Sequence, residues 1–215
     1  MTATVTLVDY GAGNLLSVAR AFRHLGAEVI LADTPAAVAG AARLVLPGVG
    51  AFAACMTGLE DKGLTDAVRR FAAGGRPFLG ICIGMQMMFD GSDEFGTTRG
   101  LGLLPGWVRA IPTTDGDGRR RKVPHIGWNA LQPANGANRW DDPLMNGIAP
   151  GDSVYFVHSF AVEPAERADT LAECDYEGIR LLAAARRDNL AGCQFHPEKS
   201  GPVGLRILRG FLDGK

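Results

Sequence analysis

The sequence predicts an α/β chain: a three-layer sandwich with a central, mostly parallel sheet, to which the C-terminal half adds antiparallel strands. Three observations carry this expectation. As far as Phe89, short β-type runs alternate with runs of helical apolar spacing, which implies right-handed crossovers and parallel strands. Gly-rich turns follow two of those strands. From Trp107 onward, strand-like runs succeed one another across breaks rich in Gly, Pro, Asp and Asn, the pattern of antiparallel meanders.

In chain order, Thr4 to Val8 is a strand and Gly11 to Asn14 a Gly-rich turn. Leu15 to Leu25 places Leu15, Val18, Ala19, Phe22 and Leu25 on one helical face, with Gly26 as its stop. Glu28 to Leu31 is a strand, Ala36 to Ala42 a short helix, and Leu44 to Leu46 a strand entering Pro47-Gly48-Val49-Gly50. Leu64 to Ala73 is a helix, Pro77 to Ile81 a strand and Ile83 to Phe89 a helix. Trp107 to Ile111, Trp128 to Leu131, Val154 to Val162, Leu171 to Cys174, Leu181 to Ala185 and Leu190 to Phe195 are strands. Leu205 to Leu212 closes the chain as a helix, with Ser200 as N-cap and Pro202 in its first turn. Thr113 to Arg120 is the expected mobile loop. Residues 1–215 are expected to form one domain.

The 215 residues carry 47% apolar and 21% charged side chains and a formal net charge of −1. That balance recommends neither a nucleic-acid nor a membrane partner. No secretory pattern and no apolar run of about 20 residues is present, so the cytoplasm is expected. Cys55, Cys82, Cys174 and Cys193 are scattered without metal-ligand spacing and are expected as free thiols.

Cys82 alone has a telling context. Gly80-Ile81-Cys82-Ile83-Gly84 has the form Gly-x-nucleophile-x-Gly where a strand becomes a helix, the pattern of a nucleophile elbow. Small neighbours allow the sharp turn, the helix start favours a thiolate, and the Ile83 N–H suits an oxyanion. A buried cysteine between incidental glycines is about equally expected from this segment alone. Of four histidines, His24 lies in a helical run and is expected at the surface. His196 ends a strand two residues before Glu198, a spacing that lets the carboxylate fix the imidazole orientation. By itself that segment is equally a capped turn, but the elbow and the His-Pro-Glu string call for each other. Gly48, Val49 and Gly50 could supply a second oxyanion amide beside the elbow, although by itself this segment reads first as a simple strand-to-helix turn.

With Gly80 to Gln86 and Gln194-Phe195-His196-Pro197-Glu198 in place, the chain resembles the class I, triad-type glutamine amidotransferases. Asp9 to Leu15, Pro47 to Gly50, Pro124 to Asn129, Tyr155 to Phe160 and Lys199-Ser200 narrow the resemblance to the glutaminase subunits of imidazole glycerol phosphate synthases, of histidine biosynthesis. The resemblance runs from Val8 nearly to the end. It implies Cys82 as nucleophile, His196 as proton carrier and Glu198 as its orienter. It implies an oxyanion site from Ile83 and Gly48, Val49 or Gly50, and glutamine-binding roles for Gln86, Glu94, Ser159 and Phe160. It also implies a heterodimer with a (β/α)8-barrel cyclase, with Asn14, Trp128 and Lys122 at the interface, and no cofactor or metal. The loop at Pro47 to Gly50 is expected to stay unready until the partner holds its nucleotide. The basic run Arg119 to Lys122 is expected to be a solvated loop, or else a patch on the partner.

Rival readings are a glutaminase of anthranilate or pyridoxal phosphate synthesis, a stand-alone cysteine hydrolase, a non-catalytic relative, and a flavodoxin-like binding protein. The Asp9 to Leu15 and Pro124 to Asn129 strings speak against the first, and the intact triad residues against decay. The absence of a Gly-x-Gly-x-x-Gly fingerprint after the first strand speaks against a dinucleotide ligand.

Overall fold

The computed structural model describes residues 2–114 and 117–214. The first half alternates β1 (Thr4–Val8), α1 (Leu15–His24), β2 (Glu28–Ala32), α2 (Pro35–Ala39), β3 (Leu44–Gly48), α3 (Phe52–Asp61), α4 (Thr65–Ala73), β4 (Phe78–Cys82) and α5 (Ile83–Met87). Then come β5 (Gly91–Ser92), β6 (Thr98–Arg99), β7 (Gly106–Ala110), β8 (His125–Ala130), β9 (Gln132–Pro133), β10 (Ser153–His158), β11 (Phe160–Pro164), β12 (Thr170–Tyr176), β13 (Ile179–Arg187), β14 (Leu190–Cys193) and α6 (Gly201–Asp213).

The main sheet runs β2-β1-β3-β4-β14-β13-β12-β9. Its first five strands are parallel; β13, β12 and β9 extend it antiparallel. β3, β4 and β14 are buried along their whole length, as continuous apolar runs in a sheet covered on both faces must be. The α/β architecture with an antiparallel addition is therefore as the sequence predicts. One strand of the C-terminal half departs from the meander: β14 runs parallel to β4, so the loop after it opens on the same sheet edge as Cys82.

Two small sheets complete the structure, β10-β8 and β11-β7-β5-β6. They correct the expectation of one strand over Val154 to Val162: the chain breaks at Ser159, and β10 and β11 pair in different sheets. Helix α3 is not evident in the sequence. Ala51 provides no side-chain cap, and the Phe52 N–H is taken instead by Glu94 Oε2 at 2.6 Å, far along the chain. Ser200 stands at the start of α6 but makes no capping bond, because its hydroxyl is engaged elsewhere.

The basic run is not uniformly solvated. Arg121 is buried, and its guanidinium donates to the carbonyls of Pro112, Thr114 and Glu177. It pins the base of the loop, whose flanks also join through a Thr114–Arg120 bridge; residues 115 and 116 of that loop lie outside the described residues. No helix among the described residues is long and apolar enough to cross a membrane.

Candidate active site

The parallel strands end together, and a cavity of about 530 Å³ lies on that edge. Asn14 follows β1, Val49 and Gly50 follow β3, Cys82 ends β4, and His196 follows β14; all line the cavity, as do Ile83, Gln86, Glu94, Ser159 and Phe160. In an open parallel sheet the carboxyl ends of the strands, where connections leave in opposite directions, form the usual ligand crevice.

Cys82 has φ 56° and ψ −114°, a conformation costing a non-glycine residue on the order of 1–3 kcal/mol. The turn can be that sharp because Gly80 and Gly84, two positions to either side, carry no side chains. A Cβ on Gly84 would run into the Leu46 carbonyl, and one on Gly80 would come within 2.7 Å of the Gly84 carbonyl and Met85 Cα. Gly48 pairs in register with Cys82, and its own Cβ would lie 2.6 Å from the Gly84 nitrogen. Elbow and loop thus pack backbone against backbone. The Ile83 N–H, at the first position of α5, has no carbonyl of its own helix to bond.

Two side chains hold the loop. The Tyr10 hydroxyl donates to the Pro47 carbonyl at 2.7 Å, and the Cys55 thiol to the Val49 carbonyl at 3.4 Å. Burial raises the pKa of both groups, keeping their protons in place as donors.

His196 Nδ1 lies 2.9 Å from Glu198 Oε1, with both side chains buried. Burial opposes charge on this imidazole. Hydrogen bonds to Cys82 and Glu198, and the charges of those groups, outweigh it and raise the pKa to about 9. The backbone of His196 is also fixed: its N–H donates to the Tyr155 carbonyl at 2.9 Å, and its carbonyl accepts from Ser200 Oγ at 2.6 Å. Ser200 in turn accepts from the Tyr155 N–H at 2.9 Å, joining the turn to β10.

Gln86 is fully buried. Its Nε2 donates to the Phe160 carbonyl and to Gln194 Oε1, both at 3.0 Å, while its Oε1 has no partner among the described residues. A buried acceptor left open beside a cavity is suited to a ligand donor. Gln194, whose Nε2 lies 3.9 Å from Cys82 Sγ, and Ser200 are contributors that sequence reasoning did not single out for the site. Trp128 is 59% exposed and shares the outward face of β8 with Ile126, at 56%. Lys122 is exposed, and Asn14 lies half-buried at the cavity. No group of His, Cys, Asp and Glu among the described residues could hold a metal.

A strained cysteine at a strand end, with a buried histidine–carboxylate pair on the same cavity, is the arrangement that a cysteine hydrolase on an α/β sheet would need. The family model for class I glutamine amidotransferases matches residues 6–214. The chain is 48% identical to the imidazole glycerol phosphate synthase subunit HisH 1 of Legionella pneumophila (strain Lens), covering 98% of this chain and 99% of that one. It is 46% identical to the HisH subunit of Syntrophotalea carbinolica over 97% of this chain and 99% of that one. Imidazole glycerol phosphate synthase hisHF of Arabidopsis thaliana is 44% identical over 99% of this chain, which spans 34% of that protein. Among solved structures, PurLQS from Thermotoga maritima superposes with a TM-score of 0.70 at 19% identity over 99% of both chains, a likeness of fold. The chain belongs to the class I glutamine amidotransferases, in the branch of the HisH subunits of imidazole glycerol phosphate synthase.

Proposed function

We propose that this chain hydrolyses glutamine to glutamate and ammonia and passes the ammonia to a (β/α)8-barrel cyclase subunit. The cyclase uses it to make imidazole glycerol phosphate and aminoimidazole-carboxamide ribotide. The observation that carries the reading is the strained Cys82 facing the His196–Glu198 pair on one cavity.

In the proposed sequence, Cys82 Sγ attacks the side-chain amide carbon of glutamine, and the oxyanion that forms accepts from the Ile83 N–H and a loop amide at Gly48, Val49 or Gly50. His196, held as imidazolium, gives its proton to the departing nitrogen, so ammonia leaves and a glutamyl thioester remains. Neutral His196 then takes a proton from water, the hydroxide attacks the thioester, and glutamate and the Cys82 thiolate separate with His196 protonated again. Glu198 accepts from His196 Nδ1 throughout, fixing which ring nitrogen faces the sulfur. The open Gln86 Oε1 and the Glu94 carboxylate hold the substrate's ammonium, with Ser159 and Phe160 forming the opposite wall. The outward face of β8, with Trp128, meets the cyclase, as do Asn14 and Lys122; the hisHF protein, named as a synthase, supports one working unit of two parts. Four free cysteines fit a reducing, cytoplasmic setting.

Cys82→Ala tests the division of labour. The complex should lose glutamine-dependent synthesis and keep synthesis from added ammonium salts. Loss of both would place the chain's contribution elsewhere.

A further inference from the structure

From the inner face of β8 to the cavity wall, which His158 itself lines, runs a pair of buried histidines that the proposed reaction leaves unused. His125 Nδ1 is 3.0 Å from His158 Nε2 across the β8–β10 pair, where the two residues stand in register. Both ends of this contact are anchored by carbonyls, which only accept. At one end His158 Nδ1 lies 2.9 Å from the Phe160 carbonyl, so that nitrogen carries the proton. At the other, Asn129 Nδ2 donates to the Asp175 carbonyl at 2.7 Å, and its Oδ1 accepts the Ala130 N–H at 2.8 Å. The Asn129 amide is thereby oriented, and its second N–H faces His125 Nε2 at 3.5 Å.

These anchors fix the proton count. His125 Nε2 must be bare to accept from Asn129. His125 Nδ1 then carries the proton and donates to His158 Nε2, which must also be bare. Every bond points the same way, from Asn129 to Phe160, with one proton on each ring. A second proton on either ring would set two N–H groups against each other. Burial lowers both pKa values to about 4, in keeping with neutral rings. The His125 ring is also clamped between Tyr176 and Phe156, with centroids 3.9 and 4.6 Å away.

The far end of the chain is the cavity wall. The Phe160 carbonyl accepts from both His158 Nδ1 and Gln86 Nε2, so both its lone pairs are committed and it works as a brace. The near end is a strand whose other face bears Ile126 and Trp128. We infer that His125 and His158 are positioning residues: a neutral, one-way bridge of two imidazoles that ties the partner-facing strand to the carbonyl holding Gln86 in the glutamine pocket. This rests on the proposed reading of the cavity and of the β8 face.

The test begins on the unaltered chain with its cyclase. Nitrogen-15 NMR of labelled histidine at neutral pH should find both His125 and His158 protonated on Nδ1 alone. A proton on His158 Nε2, or two protons on either ring, overturns the inference without any variant. Next, His125→Leu removes the donor, whereas His125→Asn keeps an N–H near the δ position. His125→Leu should raise KM for glutamine about two- to tenfold, the effect of one hydrogen bond, with kcat and ammonium-driven synthesis kept. His125→Asn should recover most of the loss, and in His125→Leu the His158 resonances should show mixed tautomers. A folded His125→Leu complex with wild-type KM for glutamine overturns the inference while leaving the proposed function standing. A wild-type complex that hydrolyses no glutamine would fail the proposed function instead, with the tautomers still open to measurement.

Discussion

The parallel and antiparallel parts of the molecule supply the cavity in different ways. From β1, β3 and β4 come backbone features: a strained Cys82, a loop whose carbonyls are held by Tyr10 and Cys55, and glycines in direct backbone contact. From β10, β14 and the turn before α6 come side chains held by polar partners: His196 by Glu198 within one turn, and, across the fold, Ser200 by Tyr155 and Gln194 by Gln86. The first kind of site has no room for added volume. The second kind fails when a hydrogen-bond partner is lost.

That contrast can be broken at several points. Glu198→Gln keeps the shape of the turn and should lower kcat for glutamine hydrolysis about 10³- to 10⁴-fold, with little change in melting temperature. Gly84→Ala should do the reverse in kind, because its Cβ meets the Leu46 carbonyl. We expect about 1–3 kcal/mol of lost stability by denaturant titration, together with lost glutaminase activity. A Gly84→Ala protein of unaltered stability would show that elbow and loop are not packed backbone to backbone. Ser200→Ala should reduce kcat about tenfold through a loosened His196, leaving KM nearly unchanged. Trp128→Ala should weaken cyclase binding about tenfold by titration, with the glutamine chemistry of the saturated complex intact. Unchanged binding would remove Trp128 from the interface.

The pH dependence sharpens the same comparison. His196 has its pKa raised to about 9, so the imidazolium that must protonate the departing nitrogen persists through neutrality and is lost as pH rises through that value. kcat/KM should therefore fall on the alkaline side near pH 9, and Glu198→Gln should move that limb to lower pH. The same shift favours the fold fully below the unfolded value of about 6.5, an advantage that fades as pH rises through about 9. His125 and His158 act oppositely: their lowered values favour the fold above about 6.5, and that advantage is lost as pH falls through about 4.

What was legible in the sequence follows from these physical differences. A strained backbone leaves a local mark, since the glycines that permit it stand within two residues of Cys82, and the alternation of strand and helix over the first half is equally local. Long-range polar partners leave none. Ser200 has the composition of a helix cap, and only the fold shows its hydroxyl between His196 and Tyr155. Helix α3 escapes a local reading because its cap, Glu94, comes from far along the chain. Arg121 looks like any member of a basic run until three carbonyls converge on it. Ser159 gives no hint in its strand-like surroundings that the chain changes sheets there.

The most direct measurement is mass spectrometry of the chain, quenched in acid while its complex with the cyclase turns over glutamine. Burial holds the thiols of Cys55, Cys174 and Cys193 above their usual pKa range, and the proposed chemistry passes through Cys82 alone. A glutamyl adduct on Cys82 and on no other cysteine is the predicted result. Trapping it on a different cysteine would contradict the account.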